Sequence, residues 1–87
     1  MKTIWKFEAY VTDDIEFHAP GAGRVAHVAV VTPRILTVWL HVDTDEPLRP
    51  VRFRVVGTGH PTPPGEHVGT AIDGPFVWHV FTDEAAT

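Results

Sequence analysis

Apolar and polar residues alternate through most of this chain. In the first stretch Thr3, Trp5, Phe7, Ala9 and Val11 fall on one side, and Lys2, Ile4, Lys6, Glu8 and Tyr10 on the other. A period of two marks a strand half-buried on a core, so residues 3–11 read as the first strand. Thr12-Asp13-Asp14 is turn chemistry, and Ile15-Glu16-Phe17-His18 alternates again as a second, short strand. Ala19-Pro20-Gly21-Ala22-Gly23 is expected to be a loop, because proline lacks a donor and glycine admits backbone angles other residues avoid. Arg24–Val31, dense in valine, and Ile35–Asp43 are expected to pair as an antiparallel hairpin across Thr32-Pro33-Arg34. Asp43–Pro50 is acidic and proline-bearing and reads as an exposed loop. Val51–Val56 is a strand with Val51, Phe53 and Val55 on one face and Arg52 and Arg54 on the other. Four glycines and three prolines between Gly57 and Gly69 exclude helix and central strand there. His67–Ile72 is a short strand, Asp73-Gly74 a turn, Pro75–Thr82 the last strand, and Asp83–Thr87 a frayed tail. No window has a helical period, and Ala85-Ala86 is too short to nucleate a helix.

Two strands are apolar on both faces. In Ile35–Val42 the even positions are aliphatic and the odd ones carry Ile35, Thr37, Trp39 and His41. In the last strand Phe76, Trp78 and Val80 oppose Val77, His79 and Phe81. Such strands are usually covered on both sides. The expected fold is therefore all-β, a single domain over residues 1–87: an antiparallel β-sandwich or rolled sheet of about six strands, seven at most. At 87 residues and without a cysteine, the core is small and no disulfide or thiolate metal site supplements it, so a homo-oligomer is expected.

The formal net charge of −4 does not suit a general nucleic-acid binder, which carries a basic field. No stretch approaches the ~20 apolar residues needed to span a bilayer, and Met1–Lys6 lacks the apolar run of a secretory signal. A cytoplasmic location and no membrane partner are expected.

Candidate chemistry centres on Gly57-Thr58-Gly59-His60-Pro61 and on Phe76–Phe81. The glycine turn could cradle an anion with successive N–H groups, although the lysine and following helix of a P-loop are missing, and a tight turn ending a strand is the simpler reading. Arg52 and Arg54 share a strand face. Beside an aromatic such as Trp39 or Trp78 they would suit a phosphate-bearing nucleotide; otherwise they form a solvated face balanced by Asp43, Asp45 and Glu46. The expected ligand-binding set is Arg52, Arg54, Thr58, His60, Trp78 and His79. His41 and Asp43 lie two apart and could share a ligand, and His60 and His67 flank the proline-rich segment. No known metal-ligand spacing occurs, so no metal and no cofactor is expected, and His27, His41 and His79 read as partly buried strand residues. There is no serine or cysteine, and no threonine stands beside a recognisable base in sequence, so no catalytic residue and no enzyme is expected.

Lys2-Thr3-Ile4-Trp5-Lys6-Phe7, Pro20-Gly21-Ala22 before a valine-rich strand, Leu36-Thr37-Val38-Trp39, Gly57-Thr58-Gly59-His60-Pro61, Gly69-Thr70 and Phe76-Val77-Trp78-His79-Val80-Phe81 together resemble a family of small all-β proteins of unknown function encoded mainly by bacteriophages. The resemblance spans nearly the whole chain and implies a phage-type accessory protein in the host cytoplasm, without a catalytic residue to carry over. Together with the arginine–aromatic mix, it leads to the expectation of a non-enzymatic oligomer that sequesters a small anionic, nucleotide-like ligand of host defence. The alternatives are a protein–protein interaction module acting on a host factor or in virion assembly, and a metal-dependent enzyme with zinc on two or three of His41, His60, His67 and His79.

Overall fold

The alternating segments form seven strands in the computed structural model, which describes residues 1–83: β1 Lys2–Tyr10, β2 Asp14–Pro20, β3 Val25–Thr32, β4 Ile35–Asp43, β5 Leu48–Gly57, β6 His67–Asp73 and β7 Phe76–Thr82. All pairings are antiparallel, in two sheets ordered β1-β4-β3 and β2-β5-β7-β6. The hairpin of β3 and β4 is present as expected. The molecule is 16 Å across its thinnest dimension, as two layers spaced about 10 Å apart require. Among the described residues no helix is long and apolar enough to cross a membrane.

Strand periodicity decides which side chains are inside. The even positions of β4, Leu36, Val38, Leu40 and Val42, face Ile15, Phe17, Phe53, Val55, Ala71 and Val80 of the other sheet. The outer sides of β4 and β7 are covered by neighbours on the same face rather than by a third layer. Thr37 is buried, the His27 ring lies 5.5 Å from that of Trp39, and Phe81 is buried with His67 5.0 Å away. His27 itself is exposed, unlike the half-buried His41 and His79.

Two strands extend by two or more residues beyond the bounds read from sequence, both through prolines; the other ends shift by one residue at most. β2 runs through Ala19 and Pro20, and β5 begins at Leu48 and includes Pro50. Proline is tolerated in strands whose outer side needs no donor. β2 is a sheet edge, and β5 pairs with β7 only from Phe53 onward, so Pro50 has a ladder on one side alone. Asp83 is tied down, its N–H donating to the Arg52 carbonyl at 3.1 Å. The rest of the expected frayed tail, with Ala85-Ala86, lies outside the described residues.

At one edge the two sheets close on each other, β3 against β6. Gly69 makes this possible, because a Cβ there would run into Val28 Cγ2. The strand ends gather at two poles. The turns at residues 11–13, 33–34, 58–60 and 74–75 share one, called here the turn end. Residues 21–24, 44–47 and 65–66 share the other, the cleft end.

Candidate functional site

Arg52 and Arg54 project from the outer face of β5, as the alternation requires. The register sets Glu16 opposite Arg52 and Asp14 opposite Arg54. Arg52 Nε meets Glu16 Oε1, and Arg54 Nε lies 2.9 Å from Asp14 Oδ1 without the alignment of a hydrogen bond. The balancing acids therefore come from β2, not from Asp43, Asp45 and Glu46. Asp43 and Asp45 instead hold the Met1 ammonium at 3.2 and 2.7 Å.

On the same outer face Thr58 and His79 belong to a chain of hydrogen bonds. Thr58 Oγ1 is 2.8 Å from His79 Nε2, His79 Nδ1 is 3.0 Å from Thr70 Oγ1, and Thr70 Oγ1 is 3.0 Å from His67 Nε2. Thr58 thus does stand beside a base. In sequence the two lie 21 residues apart, and only the pairing of β5, β6 and β7 joins them.

Trp78 and His60 lie elsewhere. Trp78 shares the inward face of β7 with Val80, stacks on Phe76 at 5.6 Å and 19°, and points Nε1 at Asp73 Oδ2, 3.5 Å away. The 57–60 segment is a tight turn: the His60 N–H donates to the Gly57 carbonyl at 3.2 Å, and Gly59 sits at φ 92°. A Cβ on Gly57 would lie 3.3 Å from the His60 ring and 3.7 Å from Trp78, so these two rings meet over the glycine. The six expected residues thus split into Arg52, Arg54, Thr58 and His79 on the outer face and His60 and Trp78 at the turn end, and Trp78 does not stand beside the arginines.

The sequence reading missed Arg34. Pro33 fixes φ at the first central position of the β3–β4 turn, and the sharp reversal puts Arg34 at φ 67°, a region non-glycine residues resist. The buried Asp73 carboxylate holds it there, accepting the Arg34 N–H at 3.1 Å, and its guanidinium lies 5.4 Å from the Phe76 ring centroid. No sequence signal short of the β6–β7 turn's position could have paired these residues.

The cleft end holds a hollow of about 590 Å³; two others measure about 390 and 300 Å³. It has a structural cause. Leu48–Arg52 overrun the end of β7, so the inner side of β5 and the start of β3 are left uncovered there. Val25, Val51, Phe53 and Val68 form an apolar lining, and Arg24 and Arg52 adjoin it, the Arg52 guanidinium being held by Glu16 on the outer face. Glu66, His67 and Asp83 complete the rim. Arg24 forms no ion pair among the described residues.

A family model described as a domain of unknown function, DUF7352, matches residues 1–87. The chain belongs to the DUF7352 family. No curated protein and no solved structure matches it. Family membership thus assigns no site to this DUF7352 domain, and its chemistry has to be read from its own side chains.

Among the described residues, no group of three or more His, Cys, Asp or Glu side chains converges on a metal position. His41 and Asp43 do share the outer face of β4, but Asp43 is engaged. Its carboxylate accepts the Asp45 N–H at 3.1 Å and the Met1 ammonium, and these bonds, the first foremost, hold its pKa below the usual carboxylate value. The Met1 ammonium is raised above its ordinary value, chiefly by Asp45.

Proposed function

We propose that this DUF7352 domain is a non-enzymatic binding module that holds a small anionic, nucleotide-like ligand in the cleft between the sheets. The observation that carries the reading is a hollow of about 590 Å³, apolar at Val25, Val51, Phe53 and Val68 and lined also by Arg24, which forms no ion pair among the described residues. That volume lies in the range of small-molecule sites, which are mostly apolar with a few placed polar groups. A guanidinium recognises phosphate by bidentate donation, while the half-buried Val51 and Val68 offer a base an apolar bed. Of the residues expected from sequence, only Arg52 adjoins this site, with its guanidinium engaged by Glu16 on the outer face, and Arg24 takes the phosphate-binding role. A phage-type accessory role, sequestering a nucleotide signal of host defence in the host cytoplasm, fits a module of this size. Calorimetry against a panel of mono-, di- and cyclic nucleotides tests the proposal. Saturable heat that Arg24→Glu removes supports it, and no heat from any nucleotide with a folded protein discards it.

One observation favours a second reading, a protein–protein module. The outer face of the β1-β4-β3 sheet carries Ile4 and Tyr10, 47% and 73% exposed, beside the half-buried Ile35 and Trp39. Exposed apolar side chains at both ends of a sheet face, with the Lys6–Glu8 pair between them, suit a second copy of the chain, or a host or virion protein. Sedimentation equilibrium distinguishes self-association: an oligomer that Ile4→Glu with Tyr10→Glu dissociates supports it, and a monomer at high concentration removes the second copy as occupant.

A further inference from the structure

We infer that His67 and His79 form a two-imidazole site for a divalent transition-metal ion on the outer face of the β6–β7 pair. The inference is independent of the cleft reading. Register places His79 opposite Thr70, and the irregularity between His67 and Gly69 turns His67 onto the same face, opposite Phe81. The two ring centroids are 5.9 Å apart. His79 Nδ1 and His67 Nε2 both aim at one atom, Thr70 Oγ1, at 3.0 Å each.

A hydroxyl carries one proton, and a neutral imidazole has one N–H and one lone pair. When His79 donates its Nε2 proton to Thr58 Oγ1 at 2.8 Å, its Nδ1 presents a lone pair toward Thr70. Without a metal the chain is satisfied: His67 Nε2–H donates to Thr70 Oγ1, and the Thr70 hydroxyl donates to His79 Nδ1. In its other neutral tautomer His67 carries its proton on Nδ1 and turns the Nε2 lone pair to the same point, so a cation that displaces the Thr70 hydroxyl is met by one lone pair from each ring. Thr58 then does what outer partners of metal-bound histidines do: it fixes the tautomer and orientation of the ring. Phe81, buried with its ring 5.0 Å from that of His67, packs against that imidazole from the adjoining strand.

Two neutral imidazoles with open positions for water suit Cu²⁺, Ni²⁺ or Zn²⁺, with Cu²⁺ held most tightly, and do not suit Mg²⁺ or Ca²⁺. The pairs Thr58–His79 and Thr70–His67 therefore have complementary tasks, the first orienting a ligand and the second keeping the empty site hydrogen-bonded.

The test is titration of the full chain with Cu²⁺ and with Zn²⁺ at neutral pH, followed by calorimetry and, for Cu²⁺, by electron paramagnetic resonance. The expected result is one equivalent bound, with a Cu²⁺ spectrum showing two equatorial imidazole nitrogens. His67→Ala and His79→Ala each weaken binding by ten-fold or more. Thr58→Val, which leaves both ligands in place, weakens it by about ten-fold through loss of the outer hydrogen bond. His67→Asn and His79→Asn keep a polar group at each position and serve if an alanine variant does not fold. Unchanged affinity in the folded histidine variants, a spectrum with a single nitrogen that survives His79→Asn, or no binding of either ion overturns the site.

Discussion

Replacing Gly69 with alanine tests how the two sheets are held together. Gly69 lies in β6 facing β3, and the added methyl meets Val28 Cγ2 head-on, with Val28 Cβ and Cγ1 each 3.4 Å away. Val28 is 3% exposed and β-branched, so its side chain cannot swing aside without a strained rotamer or a shift of β3. Overpacking of this kind costs about 1–3 kcal/mol. A chain of this size has only about 4–13 kcal/mol of total stability, so the change is large. It corresponds to a fall in Tm of about 4–8 °C per kcal/mol. Val28→Ala alone costs about 1–3 kcal/mol through lost burial and the space left behind. If the clash is the cause, the double variant recovers most of the Gly69→Ala penalty, because the colliding methyl is gone. The coupling energy is then favourable by about 1–3 kcal/mol. Urea unfolding of the four proteins, followed by tryptophan fluorescence, measures this. Strictly additive effects, or a Gly69→Ala protein as stable as the parent, would refute the idea that the sheets close through a missing side chain.

Other substitutions probe the remaining tertiary features. Asp73→Ala strands the Arg34 N–H and the Trp78 indole and removes the anchor of a left-handed residue; a loss of about 2–3 kcal/mol and a shifted Trp78 emission are expected in denaturant melts. Thr37→Val keeps the shape and deletes a buried hydroxyl that has no hydrogen-bond partner among the described residues, so it should raise the urea midpoint by an amount equivalent to about 1–2 kcal/mol; a lower midpoint contradicts that reading. Asp43 titrates below its ordinary 3.8 in the folded chain, so its contribution is complete above that pH and disappears as pH falls through the lower folded value. The gap in urea midpoint between the parent and Asp43→Asn should accordingly be constant at neutral pH and close below about pH 4; a gap unchanged down to pH 2 argues against the contact. Gly65→Ala combines φ 122° with a Cβ aimed at the Thr82 carbonyl, and thermal melts should show a loss of 1 kcal/mol or more, of the order seen for strained backbone positions.

The alternation in residues 3–11 and 51–56 was enough to determine strands and their two faces, and the doubly apolar run 35–42 the need for a second layer, though not which of its sides points inward. Side-chain direction alternates strictly in a strand, and a face of valine, leucine and phenylalanine must be covered. Turn chemistry at Pro33 and Asp73-Gly74 likewise set two hairpins from local conformational limits alone. Prolines misled the boundaries of β2 and β5, because whether a missing donor matters depends on which side of the strand has a neighbour, and sheet order decides that. The same dependence governs the chemistry. Asp14 and Glu16 neutralise Arg54 and Arg52 only because β2 lies beside β5, and the cleft exists only because β5 overruns β7. The Thr58–His79–Thr70–His67 chain requires strands separated by up to 21 residues to align in register. Sequence periodicity is a local property and fixes which way each residue points. Convergence of side chains is set by long-range pairing, which this chain specifies only through the packing of its whole core.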